Sequence, residues 1–161
     1  LTPVSIIKSG FAKTGVLTPD QETRKAMMTG SRFHSQLEIF DFANPEASLE
    51  LLPPEWRRRI GAFLAHPELA GITTAQVYQE LDFMTDTSAS ARRGTIDFLM
   101  IHNGQATIVD YKLKAIDDPA YAKQLEGYRD YVTAVTGLPV RTYLYSILED
   151  RLLEIGGVSL D

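Results

Sequence analysis

The sequence contains no cysteine among its 161 residues. This absence excludes disulfide bonds, thiolate zinc sites, iron–sulfur clusters and a cysteine nucleophile. It fits a reducing compartment, so we expect a cytoplasmic protein. No apolar run approaches the ~18 residues that a membrane-spanning helix needs. Because the N-terminus also lacks a signal-peptide pattern, we expect no membrane partner.

Positively charged residues are also fewer than negatively charged ones. The sequence has 16 Lys and Arg against 21 Asp and Glu, which gives a net charge of −5. A domain that grips nucleic acid unaided is usually basic. The acidic balance therefore counts against tight independent binding, but not against an enzyme whose carboxylates hold a cation. The length suits one domain over residues 1–161. The chain begins at Leu1 rather than Met, and we expect a fragment of a longer protein.

The spacing of apolar residues changes period along the chain, which separates helices from strands. Breakers in residues 1–20 predict an irregular arm, and the polar stretch 85–93 predicts a loop. Helices are predicted over 20–42 (or from 23), 54–66 and 119–136. Strands are predicted over 76–84, 95–101, 106–113, 140–147 and 152–155. The first helix is expected to bury Met27, Met28, Phe33, Leu37 and Phe40. This order predicts an α/β domain with a central mixed β-sheet flanked by helices.

The dipeptide Asn103-Gly104 lies between two of these strands and is a strong hairpin signal. If these two residues form the turn, paired positions sum to 207, and Asp97 stands directly opposite Asp110. Opposed residues on adjacent strands share a face, with Cβ atoms roughly 5 Å apart. One extra bulge residue would shift this register and separate the two acids.

Two opposed carboxylates within apolar runs must share a proton, find cationic partners or bind a metal ion. Lys112 follows Asp110 by two residues and therefore lies on the same face. Oxygen ligands in this number suit a hard cation such as Mg²⁺ or Mn²⁺. An Asp-x-Lys strand is by itself most often a surface ion pair, and the opposed Asp97 is what favours a catalytic interpretation. Without metal, we expect one of the two acids to titrate unusually high.

These residues resemble a known family. The segments Gly94-Thr-Ile-Asp97, Ile108-Val-Asp110-Tyr-Lys112 and Tyr121-x-x-Gln124-Leu125-x-x-Tyr128 are similar to the nuclease domain of RecB- and AddA-type helicase–nucleases. That domain belongs to the PD-(D/E)xK superfamily. The upstream segments Gly30-Ser-Arg-Phe-His34 and Gln79-Glu80-Leu-x-Phe83 resemble its histidine-bearing helix and its first core strand. The resemblance covers roughly residues 25–147 and implies a restriction-endonuclease-like core.

The resemblance also implies roles for individual residues. Asp97 and Asp110 match the metal-binding carboxylates, Lys112 matches the catalytic lysine, and His34 matches a histidine that ligates or borders the metal. Gln124 and Tyr128 match the helix motif that lines the site.

Simpler interpretations exist for the residues outside the hairpin. A lone histidine such as His34 is more often an ordinary core or surface residue, and Tyr121 and Tyr128 are most simply core residues. Glu80 is a looser match to a site residue and is most simply a strand-edge acid. Arg92 and Arg93 adjoin the Gly94 strand, and we expect them to contact the DNA backbone.

The expected activity is that of a Mg²⁺- or Mn²⁺-dependent deoxyribonuclease resembling exonuclease V. It would act on single-stranded DNA ends during double-strand-break repair and recombination. The chain has no phosphate-binding loop, so a helicase motor is an expected partner, in the same polypeptide or complex. One alternative is an inactive nuclease-like module for docking or strand guiding. Another is a junction resolvase or restriction-type endonuclease of the same superfamily.

Overall fold

The computed structural model describes residues 18–86, 91–114, 116 and 118–156. These residues form a mixed α/β domain in which helices flank one five-stranded sheet of order β1-β2-β3-β4-β5. The strands are β1 (Gln76–Asp86), β2 (Ala91–His102), β3 (Gln105–Lys112), β4 (Val140–Ser146) and β5 (Arg151–Glu154). The helices are α1 (Pro19–Glu38), α2 (Pro45–Glu50), α3 (Pro54–Leu64) and α4 (Pro119–Thr136), with 3-10 turns at Pro67–Leu69 and Ile72–Thr74.

The sheet is mixed because one connection crosses over it. Strand β2 runs antiparallel to both β1 and β3, whereas β3 and β4 are parallel. Parallel neighbours cannot be joined by a tight turn, and α4 provides the crossover between them. Strand β5 then pairs antiparallel with β4. The predicted mixed sheet flanked by helices is confirmed.

The β2–β3 hairpin has the predicted turn and register. Asn103 and Gly104 have φ angles of 52° and 73°, and a type I′ turn requires positive φ at both of its central residues. His102 pairs with Gln105, and Phe98 pairs with Val109. Both pairs sum to 207, so Asp97 and Asp110 occupy opposed positions one residue beyond the last pair.

Each face of the sheet carries its own core. On one face, α1 and α3 pack Phe33 and Phe63 against Phe98, Tyr111 and Tyr145, with the rings mostly edge to face. On the other face, α4 packs its buried residues against the sheet. This second core includes Leu125, Tyr128, Val132, Ile96, Ile108 and Leu144. Because both faces are covered, polar side chains on the central strands are shielded from solvent.

Three details of the first helix differ from the sequence prediction. Helix α1 begins at Pro19, after a capping box at Thr18, and its start therefore falls within the predicted arm. Residues 1–17 of that arm lie outside the described part of the structure. Met27 and Met28 are exposed, because α1 turns its Gly30 side toward Leu113, where a Cβ atom would lie 2.9 Å from Leu113 Cδ2. The helix ends at Glu38 rather than at residue 42.

The predicted 85–93 loop is largely strand. The β1–β2 pairing continues to Asp86 opposite Ala91, so only residues 87–90, which lie outside the described part, remain between the strands.

Within the described ranges, no helix combines the length and apolarity needed to cross a membrane.

Gly94 in β2 leaves space for two aromatic rings, since a Cβ atom there would lie 2.9 Å from the Phe83 ring and 3.3 Å from Tyr128. We predict that Gly94→Ala lowers the free energy of unfolding by about 1–3 kcal/mol, because the rings must move. Gly61→Ala is the matched control, since a methyl group there would meet no atom within 4 Å. It should stabilise α3 by about 0.5–1 kcal/mol. Urea unfolding measures both, and equal effects would contradict the packing described.

Candidate active site

Three acidic residues occupy one level across three neighbouring strands. In the β1–β2 ladder, Gln79 pairs with Phe98 and Leu81 with Ile96, so Glu80 stands opposite Asp97 without being paired. The β2–β3 ladder stops just before Asp97 and Asp110. The carboxylates of Glu80, Asp97 and Asp110 therefore gather where the backbone ladders open.

The opening reverses the alternation of side chains in β1 and β2. Phe98 packs in the α1–α3 core and Ile96 in the α4 core, although a regular strand would place them on one face. The backbone cause lies at Glu80, whose φ of 48° is left-handed. Such a conformation costs a non-glycine residue roughly 1–3 kcal/mol and clusters at functional sites. The break lets side chains from both layers reach the same place.

Asp97 lies at the centre of the group and is only 9% exposed. Its Oδ2 accepts a hydrogen bond from the Tyr111 backbone N–H at 2.8 Å, and its Oδ1 lies 3.8 Å from His34 Nδ1. Burial and the negative charge of Asp110 raise the pKa of Asp97 to about 8, and Glu80 adds to the effect. The Tyr111 hydrogen bond acts in the opposite direction but does not overcome them.

His34 reaches the acids from α1. The adjacent Phe33 is fully buried among aromatic rings and fixes the rotation of the helix. The Nδ1 atom of His34 lies 3.0 Å from Glu80 Oε2, and the imidazole stands edge-on to the Tyr111 ring at 4.9 Å. These contacts aim one ring nitrogen at the carboxylate group.

Potential ligand atoms of His34, Glu80 and Asp97 all lie within 4.8 Å of one another. Two ligands on opposite sides of a Mg²⁺ or Mn²⁺ ion, each about 2.1–2.3 Å from it, are separated by roughly 4.2–4.6 Å. The spacing of the three groups therefore fits a single shared cation.

Asp110 is 3% exposed and lies beside this group, paired with Lys112. Its Oδ2 is 2.9 Å from Lys112 Nζ, but the approach is off the hydrogen-bonding direction. This buried oxygen therefore has no hydrogen bond from any described residue. The ion pair offsets part of the cost of burying this carboxylate, and the oxygen keeps the capacity to accept from a further donor or cation.

Helix α4 forms the opposite wall of the site. Gln124 Oε1 accepts a hydrogen bond from Lys112 Nζ at 3.2 Å. Tyr128 is buried and packs edge-on against Phe83 at 5.6 Å. Burial, with the charges of Asp110 and Asp97, raises the pKa of Tyr128 to about 12. Its hydroxyl therefore stays protonated near neutral pH and can donate a hydrogen bond.

An open cleft of about 870 Å³ exposes the group to solvent. It is lined by most of the residues predicted for the site, namely His34, Arg93, Asp97, Asp110, Lys112, Gln124 and Tyr128. Lys123, which sequence reasoning did not select, lines it too. Arg92 pairs through its backbone with Thr85, but its side chain lies outside the described part of the structure.

The compact group of potential ligands differs in a single member from the metal-binding set predicted from sequence. The sequence predicted His34, Asp97 and Asp110, whereas the compact group contains Glu80 in place of Asp110. The same pairing arithmetic could have found Glu80, because it and Asp97 sum to 177 like their paired neighbours. That register depends on the β1–β2 connection at residues 87–90, which carries no turn signal comparable to Asn103-Gly104.

No protein-family model matches the chain, and no curated protein matches it with significant similarity.

Two carboxylates and one imidazole form a donor set that is able to hold a divalent cation. His34, Glu80 and Asp97 would hold the ion, with the ion pair of Asp110 and Lys112 beside them. When bound, such an ion would neutralise the carboxylates, polarise a phosphate group and activate water.

The pH dependence of the metal-free protein tests the crowding of the carboxylates. The pKa of Asp97 is about 8 in the folded chain, against an ordinary value of 3.8. The folded state therefore holds an extra proton between these values, and stability should fall as pH rises from about 4 to 8. The slope should be at most about 1.4 kcal/mol per pH unit. Asp97→Asn should flatten it and Asp130→Asn, an exposed control, should not. Chemical unfolding at several pH values measures the free energy of unfolding of each variant. If Asp97→Asn leaves the slope of this free energy against pH unaltered, the raised pKa is wrongly assigned to Asp97.

Metal ions should stabilise the fold by mass action, because the unfolded chain lacks the assembled ligands. We predict that about 5 mM Mn²⁺ raises the melting temperature by several degrees, and that Glu80→Gln removes most of this shift. Glu126→Gln, on the exposed side of α4, is the charge-matched control and should keep the full shift. Differential scanning fluorimetry with and without EDTA makes the comparison. An equal shift in both variants would exclude Glu80 as a ligand.

Proposed function

We propose that this domain is a Mg²⁺- or Mn²⁺-dependent nuclease of the PD-(D/E)xK type, with a restriction-endonuclease-like core. The observation that supports this most strongly is the convergence of His34, Glu80 and Asp97 within 4.8 Å, beside the Asp110–Lys112 pair. Carboxylates for a cation and an ammonium for developing charge are the parts that phosphodiester hydrolysis requires.

A phosphate substrate is supported by the other charges of the cleft. Arg93 lies on β2 and Lys123 on α4, and both are exposed side chains that line it. Neither has an ion pair with another described residue. Cations free of acidic partners contact phosphate oxygens readily and hold a nucleic-acid backbone in register.

The chain's own residues divide the work of hydrolysis. Lys112 places its ammonium next to the carboxylates, where it can orient the attacking water and stabilise charge on the phosphate oxygens. Gln124 holds the ammonium at 3.2 Å. Tyr128, whose hydroxyl stays protonated, can donate a hydrogen bond to a phosphate oxygen or to water in the cleft. Water attacks phosphorus and gives up a proton, the P–O bond to the leaving nucleotide breaks, and the leaving oxygen takes up a proton, so the elements of water are added across that bond.

We further propose that the substrate is single-stranded DNA delivered by a helicase motor, as in the helicase–nucleases that the motifs resemble. The net charge of −5 supports delivery by another module. An acidic domain repels the negatively charged DNA backbone at distances up to about a Debye length, so it captures free DNA poorly. Processing of broken DNA ends in repair and recombination follows from this assignment.

Cleavage of labelled single-stranded DNA tests the activity. With Mn²⁺ or Mg²⁺ we predict cleavage that EDTA abolishes, and a loss of at least about 100-fold in kcat in both Asp110→Asn and Lys112→Met. Lys114→Met is the matched control, since Lys114 is an exposed lysine on the same segment, and it should retain the wild-type rate.

Three results would contradict the proposal. One is cleavage that survives EDTA, and another is cleavage that survives the Asp110 substitution. The third is an absence of cleavage on single-stranded, duplex and branched DNA by folded, metal-loaded protein, which would favour an inactive docking or strand-guiding module.

A further inference from the structure

Lys112 has a third neighbour to which the proposed chemistry gives no role. Besides Asp110 Oδ2 at 2.9 Å and Gln124 Oε1 at 3.2 Å, its Nζ lies 4.3 Å from the centre of the Tyr121 ring. Only 21% of the Lys112 side chain is exposed. The ammonium is thus enclosed by a carboxylate, an amide oxygen and an aromatic face.

We propose that Tyr121 is a positioning residue, whose ring face holds the Lys112 ammonium in the orientation that the site uses. Its role in turnover rests on the proposed nuclease function, whereas the placement of the ammonium does not.

The contact is an attraction between a cation and the negative face of an aromatic ring. It is strongest when the cation is partly removed from water, and Lys112 meets that condition. A lysine side chain is long and flexible, and it loses much rotamer freedom when fixed. A broad ring face restrains the ammonium without supplying a competing negative charge.

The position of Tyr121 is set by the start of α4. Asp118 caps the helix by accepting from the Ala120 N–H at 2.9 Å, and the Tyr121 N–H donates to the Asp118 carbonyl at 3.0 Å. Tyr121 therefore lies in the first, capped turn. Three residues later Gln124 points from the same side of the helix, so one helical face presents both groups to Lys112.

The ring matters most when a cation is bound. Asp110 Oδ2 is the group nearest to Lys112 Nζ and is also the buried oxygen without a hydrogen bond from the described residues. If this oxygen turns toward a metal ion, Lys112 loses its closest partner. Gln124 and Tyr121 then remain to keep the ammonium from turning out into solvent.

The experiment combines a spectroscopic readout with a kinetic one. In NMR spectra, protons above an aromatic face are shifted upfield, so the ε-methylene protons of Lys112 should resonate upfield. Selective lysine labelling assigns them, because their signal is absent from the Lys112→Arg variant. Tyr121→Leu should remove this shift and lower kcat on single-stranded DNA about tenfold, leaving Mn²⁺ affinity within about twofold. Tyr121→Phe should restore the upfield shift and most of the lost rate. Val135→Ala, at an exposed position of the same helix, is the control for effects on the helix itself.

The outcomes separate this inference from the nuclease assignment. An ordinary Lys112 shift in the wild type, or a Tyr121→Leu protein with an unchanged kcat, would overturn the positioning role. So would a loss of Mn²⁺ affinity equal to the loss of rate, since it would indicate general damage to the site. If the upfield shift is present and no protein cleaves DNA, the ammonium is placed as proposed and the nuclease function fails instead.

Discussion

The mutual repulsion of three carboxylates at one level of a β-sheet is the constraint on which the rest of the structure depends. Glu80, Asp97 and Asp110 occupy adjacent strands, and both ladders are interrupted beside Asp97. Like charges at opposed positions destabilise a sheet, and burial increases the penalty because the charges lose water. The pKa of Asp97 is raised first by its burial and then by the negative charges of Asp110 and Glu80. Lys112 compensates part of the negative charge through its ion pair with Asp110, and a divalent cation would compensate the remainder.

The opening in the sheet also explains how two separate layers serve one site. His34 belongs to the α1–α3 side and Gln124 to the α4 side, and an unbroken sheet would keep them apart. The left-handed backbone at Glu80 and the interrupted pairing at Asp97 place carboxylate oxygens between the two layers. The Tyr111 N–H, which would otherwise serve the ladder, holds Asp97 Oδ2 instead. The strained backbone at Glu80 thus allows a placement of carboxylate oxygens that a regular strand would not give.

The parts of the site that depend on local rules were predictable from sequence. Asn103-Gly104 determines a two-residue turn, and counting back from it places Asp97 opposite Asp110. Strand alternation then adds Lys112. Gln124 and Tyr128 are neighbours on one helical face, but their place in the site was implied by the family resemblance rather than by this spacing. The helix over 119–136 and the mixed sheet follow from periodicity in the same way.

The remaining parts depend on tertiary contacts that leave no local mark. A positive φ at Glu80 cannot be read from a glutamate within a strand pattern, so the sequence included Glu80 only as a looser match and did not place it among the metal ligands. The buried face of α1 follows from the approach of Gly30 to Leu113, and hydrophobicity alone wrongly favoured Met27 and Met28. Tyr121 looked like a core residue until its distance to Lys112 was known.

Anomalous diffraction from crystals soaked in Mn²⁺ tests the central claim, a cation shared by the crowded carboxylates, most directly. We expect an anomalous peak within about 2.1–2.4 Å of His34, Glu80 and Asp97, with the Lys112 ammonium still above the Tyr121 ring. A fully soaked crystal without a peak between these side chains would contradict the claim, as would a peak bound elsewhere on the domain.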